Sequence, residues 1–329
     1  MKKIFVALLT FVLIFSSCET DFDVNASWQE MIVVYGLLDA STDTQYIRIN
    51  KAYLGEGDAM MMAQYSDSIN FNPDDLEVTL YKLGTSESIS LDTIGGIIKD
   101  ALDFNGDQGI FTTDNHIIYR AITPSNFLTK NFRYALSIVN LISGNSVSSS
   151  TEVISDFSFK DFSSSSKWGF YNPFFPDSTK FTTKTVRWKK VEHGEVYQVD
   201  VRFNYLENGE LKSLLWSQEQ EVFEGSTMQI RMEGIDFFNF LTNSLVADNS
   251  FIREFVNLDL IMTVGTESLN NYITANGPVN DIAQQRPEFS NIDNGIGIFS
   301  SRYTYTEHDL ELSDYTLDYL INELDRNFQ

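Results

Sequence analysis

The chain has 329 residues, and its 46 Asp and Glu outnumber 23 Lys and Arg to give a formal charge of −23 at neutral pH. That balance argues against a nucleic-acid partner, whose phosphates need a basic surface, and against electrostatic adhesion to anionic lipid. With 43% hydrophobic and 14% aromatic residues, the chain can bury the cores of two domains of ordinary size and is not a disordered tail.

Lys2 and Lys3 precede an apolar run from Ile4 to Phe15, followed by Ser16, Ser17 and the only cysteine, Cys18. The run is too short to span a bilayer and has the layout of an export signal. Phe15-Ser16-Ser17-Cys18 resembles the lipobox of bacterial lipoproteins. The resemblance implies that residues 1–17 are removed and that Cys18 carries the lipid, anchoring the protein at roughly 0.8 kcal/mol per buried CH₂. With Cys18 so used, no disulfide can form, and stability rests on packing. Residues 18–30, with Glu19, Asp21 and Asp23, read as an acidic tether. They also resemble the signal that carries Bacteroidota lipoproteins to the outer face of the outer membrane.

Residues 31–155 read as an N-terminal β-sandwich domain. Apolar alternation predicts strands over Ile32–Leu38 and Gln45–Tyr53, joined antiparallel through the polar turn Asp39–Asp43. Further strands are expected at Leu76–Leu83, Ser88–Ile94, Ile117–Ala121 and Tyr134–Leu141. Residues 54–72 interrupt them as a long loop, in which Met60-Met61-Met62 reads as a helical turn tucked against the sheet or as an adaptable contact surface.

Between Phe157 and Phe181 lie nine aromatics with Pro173 and Pro176 among them. Residues 156–181 are therefore expected to join the domains, either packing between them or displaying Trp168, Phe170, Tyr171, Phe174 and Phe175 as a binding surface for a glycan or a protein. Residues 182–329 read as a second sandwich-like domain with helices. Thr185–Lys189 and Val196–Tyr205 look like a strand pair around Trp188, resembling the early strands of fibronectin type III domains. Asn208-Gly209 signals a hairpin to Leu211–Glu221. Strands over Ser226–Glu233 and Leu258–Gly265, a helix near Ile235–Leu245 and a helical turn over Ser268–Thr274 follow. Asp314 is expected to cap a last helix running to Arg326. The expected fold class is thus mainly β, with two immunoglobulin- or fibronectin III-like sandwiches, the second with added helices.

Ser290-Asn291-Ile292-Asp293-Asn294-Gly295-Ile296-Gly297-Ile298-Phe299 is similar to a signature near the end of an uncharacterised-domain family of Bacteroidota lipoproteins, often encoded beside TonB-dependent receptors. Val33–Leu38, and Val186, Trp188, Tyr197 and Val199, fit the same layout. The resemblance implies a cell-envelope lipoprotein that serves a neighbouring transporter, and it implies no reaction. Gly295 and Gly297 suit a place where backbone meets backbone, since their spacing matches no phosphate-binding loop.

Chemistry is sparse. His116, His193 and His308 fall in separate segments, with no zinc-ligand spacing and no G-x-S-x-G elbow. Asp103–Gly109 departs from the calcium-loop pattern, with glycine fourth and Asp114 twelfth, and reads as a surface turn. No catalytic residue, metal or cofactor is expected. The candidate functions are a non-enzymatic binding or accessory component of the envelope, a surface carbohydrate-binding lipoprotein, and a secreted hydrolase.

Overall fold

The computed structural model of the protein describes residues 31–52, 59–98, 109, 112–154, 156–160, 163, 167–176, 179–218, 227–248, 250–277 and 289–329. The expected anchor at Cys18, the tether and residues 103–108 of the acidic turn lie outside them. The described chain is mainly β, arranged in three sheets.

The first half supplies β1 (Met31–Asp39), β2 (Thr44–Ala52), β3 (Leu76–Lys82), β4 (Ser88–Ser90), β5 (Asp92–Ile97), β6 (His116–Ile122), β7 (Arg133–Asn140) and β8 (Ser146–Glu152). β1 and β2 pair antiparallel with Gly36 opposite Ile47, as their alternation predicts. The expected strand over Ser88–Ile94 is two strands in different sheets. β4 pairs with β3, Leu91 N–H donates to Val78 O at 2.9 Å, and the chain then crosses to pair as β5 with β6. β8 escapes a hydrophobicity reading because it is mostly serine. It nonetheless buries Val147, Ser149 and Thr151 in alternation.

The second half supplies β9 (Phe159–Lys160), β10 (Thr183–Lys189), β11 (Val196–Glu207), β12 (Glu210–Ser217), β13 (Thr227–Glu233), helix α1 (Gly234–Ser244), β14 (Arg253–Gly265), α2 (Glu267–Asn276), β15 (Ile296–Leu310) and α3 (Asp314–Asn322). The expected pairing of β10 with β11 does not occur. β10 pairs with β13 and β9, and β11 with β12 and β14, so Trp188 and Tyr197 meet across a core with ring centroids 5.9 Å apart. The intervening loop is held open by the Tyr197 hydroxyl, which accepts from Val191 N–H at 3.0 Å. The hairpin at Asn208-Gly209 forms, with φ of 52° and 83° supplying the left-handed turn. α3 is capped by Ser313, whose side chain accepts from Thr316 N–H. Asp314 is its first residue, and the helix ends at Asn322 rather than Arg326.

One eight-stranded sheet, ordered β12-β11-β14-β15-β1-β2-β6-β5, runs through both halves of the chain. Its seam is a parallel pairing of β1 with β15, from Val33 opposite Ile296 to Asp39 opposite Arg302. The close approach at this seam requires glycine. Gly297 has φ +115°, and a Cβ there would stand 2.0 Å from Val34 O.

Two cores lie against this sheet. The four-stranded sheet β4-β3-β7-β8 packs Val78, Leu136 and Ile138 on Val34, Ile47 and Phe299. The three-stranded sheet β13-β10-β9 packs Trp188, Ile230 and Met232 on Val201, Phe203 and Met262. Along β15, Phe299 belongs to the first core, while Tyr303 and Tyr305, which share its phase, pack on the second. Both cores therefore occupy the same face of the large sheet. α2 packs on the opposite face, where Gly265 leaves room for Leu269.

Candidate functional site

On that second face, β1, β2, β15 and α2 enclose an open cleft of about 490 Å³. Its place follows from register. Tyr35 lies opposite Ile298 on one side and Arg48 on the other, and Tyr46 lies opposite Arg120. Residues paired in this way project to one face, which puts Tyr35 and Tyr46 diagonally beside each other on adjacent strands. They are 43% and 53% exposed. Tyr272 reaches in from α2 and meets the Tyr35 ring edge-on, with centroids 6.4 Å apart. Burial, and then the Tyr35 hydroxyl beside it, hold the Tyr272 phenol above its ordinary pKa, so it stays a neutral hydrogen-bonding group.

The polar end of the cleft is stapled. Asp39 Oδ1 accepts from Ser41 N–H at 2.9 Å and from the Ser41 hydroxyl at 2.5 Å. The Gln45 side chain accepts from Asp39 N–H at 2.7 Å and donates to Asp39 O at 3.0 Å. The remaining carboxylate oxygen, Oδ2, lies 3.4 Å from Arg302 Nε. Arg302 is half exposed, and no group among the described residues accepts from its terminal nitrogens. The cleft thus offers neutral aromatic faces beside a guanidinium whose charge is balanced by Asp39.

The five aromatics expected to form a binding surface are not displayed together. Trp168 and Phe170 are fully buried, with Phe170 stacked on Phe237 at 4.2 Å. Tyr171 packs on Tyr319 at 4.5 Å. Phe174 and Phe175 remain at the surface, 78% and 39% exposed, and Phe174 rests against Tyr315. The segment belongs to the second core: Phe157 is buried there, and Phe159 and Phe181 pack on its margin. Large apolar side chains favour that outcome, because each gains on the order of 2 kcal/mol from burial.

The three histidines are dispersed among separate partners. His116 is buried with Nε2 2.8 Å from Thr112 O, His193 sits in a turn with φ +64°, and His308 Nδ1 lies 3.2 Å from Asp259 Oδ1. Asp259 is also met by Asn204 Nδ2 at 3.1 Å and Arg202 at 3.5 Å, so its carboxylate is satisfied by fixed neighbours. Among the described residues, no group of three or more His, Cys, Asp or Glu is placed to hold a metal ion.

Tyr46, Tyr272 and Arg302 carry no motif, and Tyr35 stands in the Val33–Leu38 strand without being marked out by it. The one sequence signal is phase: Tyr46 alternates with Arg48 and Asn50, an aromatic on the polar side of its strand. No protein-family model matches the chain, and a search of curated proteins finds no relative.

Proposed function

We propose that this protein is a lipid-anchored, non-enzymatic binding component of the cell envelope, serving a TonB-dependent transport system, and that the Tyr35–Tyr46–Tyr272 cleft is where it holds its partner or ligand. The cleft is the observation that carries this reading. Its volume is within the range of ligand sites, and its walls come from strands and a helix, so it is preformed. The lipobox at Phe15–Cys18 supports the anchor, and the acidic stretch after it supports an outer-membrane address. Within the same reading the chain forms two immunoglobulin- or fibronectin III-like sandwich units fused through one sheet. Support for that comes from the two separate cores and the Trp188–Tyr197 contact.

Two measurements test it. Intact mass of the membrane-extracted protein should correspond to a chain beginning at Cys18 with a diacylglyceryl group and an acylated amino terminus, and Cys18→Ser should release it from the membrane. A photo-crosslinking residue at position 46 should capture an envelope component in cells, whereas one on the far side, at Tyr81, should not. An unlipidated chain that still begins at Met1 would overturn the anchor. Equal capture from both positions would overturn the cleft.

A further inference from the structure

We infer that the cleft takes a neutral oligosaccharide, stacked on Tyr35 and Tyr46 and hydrogen-bonded by Arg302. This rests on the cleft being the ligand site and names the class of ligand.

Three observations select that class. The first is charge. The chain carries −23 overall, and the one cation among the cleft-lining residues is paired with Asp39 at 3.4 Å. An anionic ligand would meet a repulsive body, and the cation that lines the cleft is already balanced by Asp39. The second is strand position. β15, β1 and β2 are interior strands, each paired on both sides, so their backbone groups cannot add a peptide as an extra strand, which is how sheets usually take extended peptides. The third is the surface itself. Two half-exposed phenol rings on adjacent strands present flat faces that suit the apolar C–H faces of sugar rings. The Arg302 N–H groups that have no acceptor among the described residues can donate to the hydroxyls that a sugar supplies without charge.

Rigidity completes the case. The turn bearing Asp39 is fixed by Ser41 and Gln45, and Tyr272 braces Tyr35 edge-on. At Asp39 and Tyr35 little side-chain freedom remains to be lost on binding, which favours weakly interacting ligands such as sugars.

The experiment uses the full lipidated chain in a detergent without a sugar headgroup, titrated calorimetrically with maltohexaose, cellohexaose, xylohexaose and mannohexaose. At least one should bind. Tyr46→Ala should weaken that binding by roughly tenfold, the loss of one stacking face, while Tyr46→Phe should retain it. Arg302→Gln should weaken it too. Tyr46 is 53% exposed, so these variants fold, as circular dichroism would verify. Failure of all four sugars to bind, or binding that survives both Tyr46→Ala and Arg302→Gln, overturns the inference. If sugars fail while the crosslinker at position 46 still captures an envelope protein selectively, the cleft stands as a protein site and the sugar class is rejected. If both fail, the proposed site is rejected as well.

Discussion

Gly297 lies so close to Val34 that a single added Cβ would overlap the Val34 carbonyl, 2.0 Å away, in a residue already at φ +115°. The parallel seam between β1 and β15 is built on that approach. Gly297→Ala should therefore destabilise the protein by about 3 kcal/mol or more, read as a lower denaturant midpoint at unchanged slope. Gly84→Ala is the control. Gly84 has φ +83° with nothing within 4 Å of a built Cβ, so it should lose only the backbone cost, about 1 kcal/mol. Equal losses would show that the seam tolerates side chains.

Arg253 is buried with its guanidinium 2.8 Å from Glu207, and it also donates to Arg326 O and Val246 O. The chain end closes over it: Arg253 N–H donates to Asn327 O, and Gln329 N–H to Arg253 O. Arg253→Met should cost about 3 kcal/mol, because it removes the partner of Glu207 Oε2 and leaves the Val246 and Arg326 carbonyls without their donor. The Lys212 ammonium, ahead of Arg253, holds the Glu207 carboxyl below its usual range. A depressed folded pKa contributes stability that is present above the unfolded value of 4.5 and is lost as pH falls through the folded one. Glu207→Gln should flatten that acid-side loss in a series of thermal melts, and an unchanged slope would refute the assignment.

Tyr119 is 2% exposed, its hydroxyl has no hydrogen-bond partner among the described residues, and burial pushes its pKa up to about 12. Tyr119→Phe should thus be neutral or stabilising by up to about 1 kcal/mol at pH 7. At alkaline pH the sign is fixed. A raised folded pKa gives stability that is complete below the unfolded value of 10 and is lost as pH rises toward 12. The phenylalanine variant should resist alkaline unfolding better than the parent; the reverse would mean that the hydroxyl is bonded.

Trp168 sits at the centre of the second core. Its backbone N–H donates to Glu311 O, its backbone carbonyl accepts from Ser313 N–H, and Lys184 Nζ lies 4.8 Å above its ring. Trp168→Ala should cost about 3–5 kcal/mol. Trp168→Phe should remove a blue-shifted emission component that acrylamide does not quench and that no oligosaccharide perturbs. A solvent-quenched component would reopen the segment as a binding surface.

Much of the strand content was legible. The alternation of Ile32, Val34 and Leu38 marks both the strand and its core side, and Asn208-Gly209 announces its hairpin. Pairing was less so. Val186–Lys189 and Val196–Tyr205 have the pattern of a hairpin whether they pair or face each other across a core, because period two records a buried side and not its neighbour. Composition likewise marks the 157–181 segment without saying where its rings go. Trp168 became a core residue through contacts with β10 and with Glu311, Leu312 and Ser313 just before α3. The cleft was the least legible part. Tyr35 shares its strand phase with Val33 and Leu37, and only the arrival of β15 and α2 beside it makes an exposed tyrosine part of a wall.

The seam between β1 and β15 also imposes an order on how the molecule is made. β1 is made well before its parallel neighbour, Ile296–Leu310. Until that segment is synthesised, one edge of β1 is open, with Val34 and its carbonyl unpaired. The first half therefore keeps an open strand edge until β15 arrives, which makes this seam a long-range contact of the kind that slows folding.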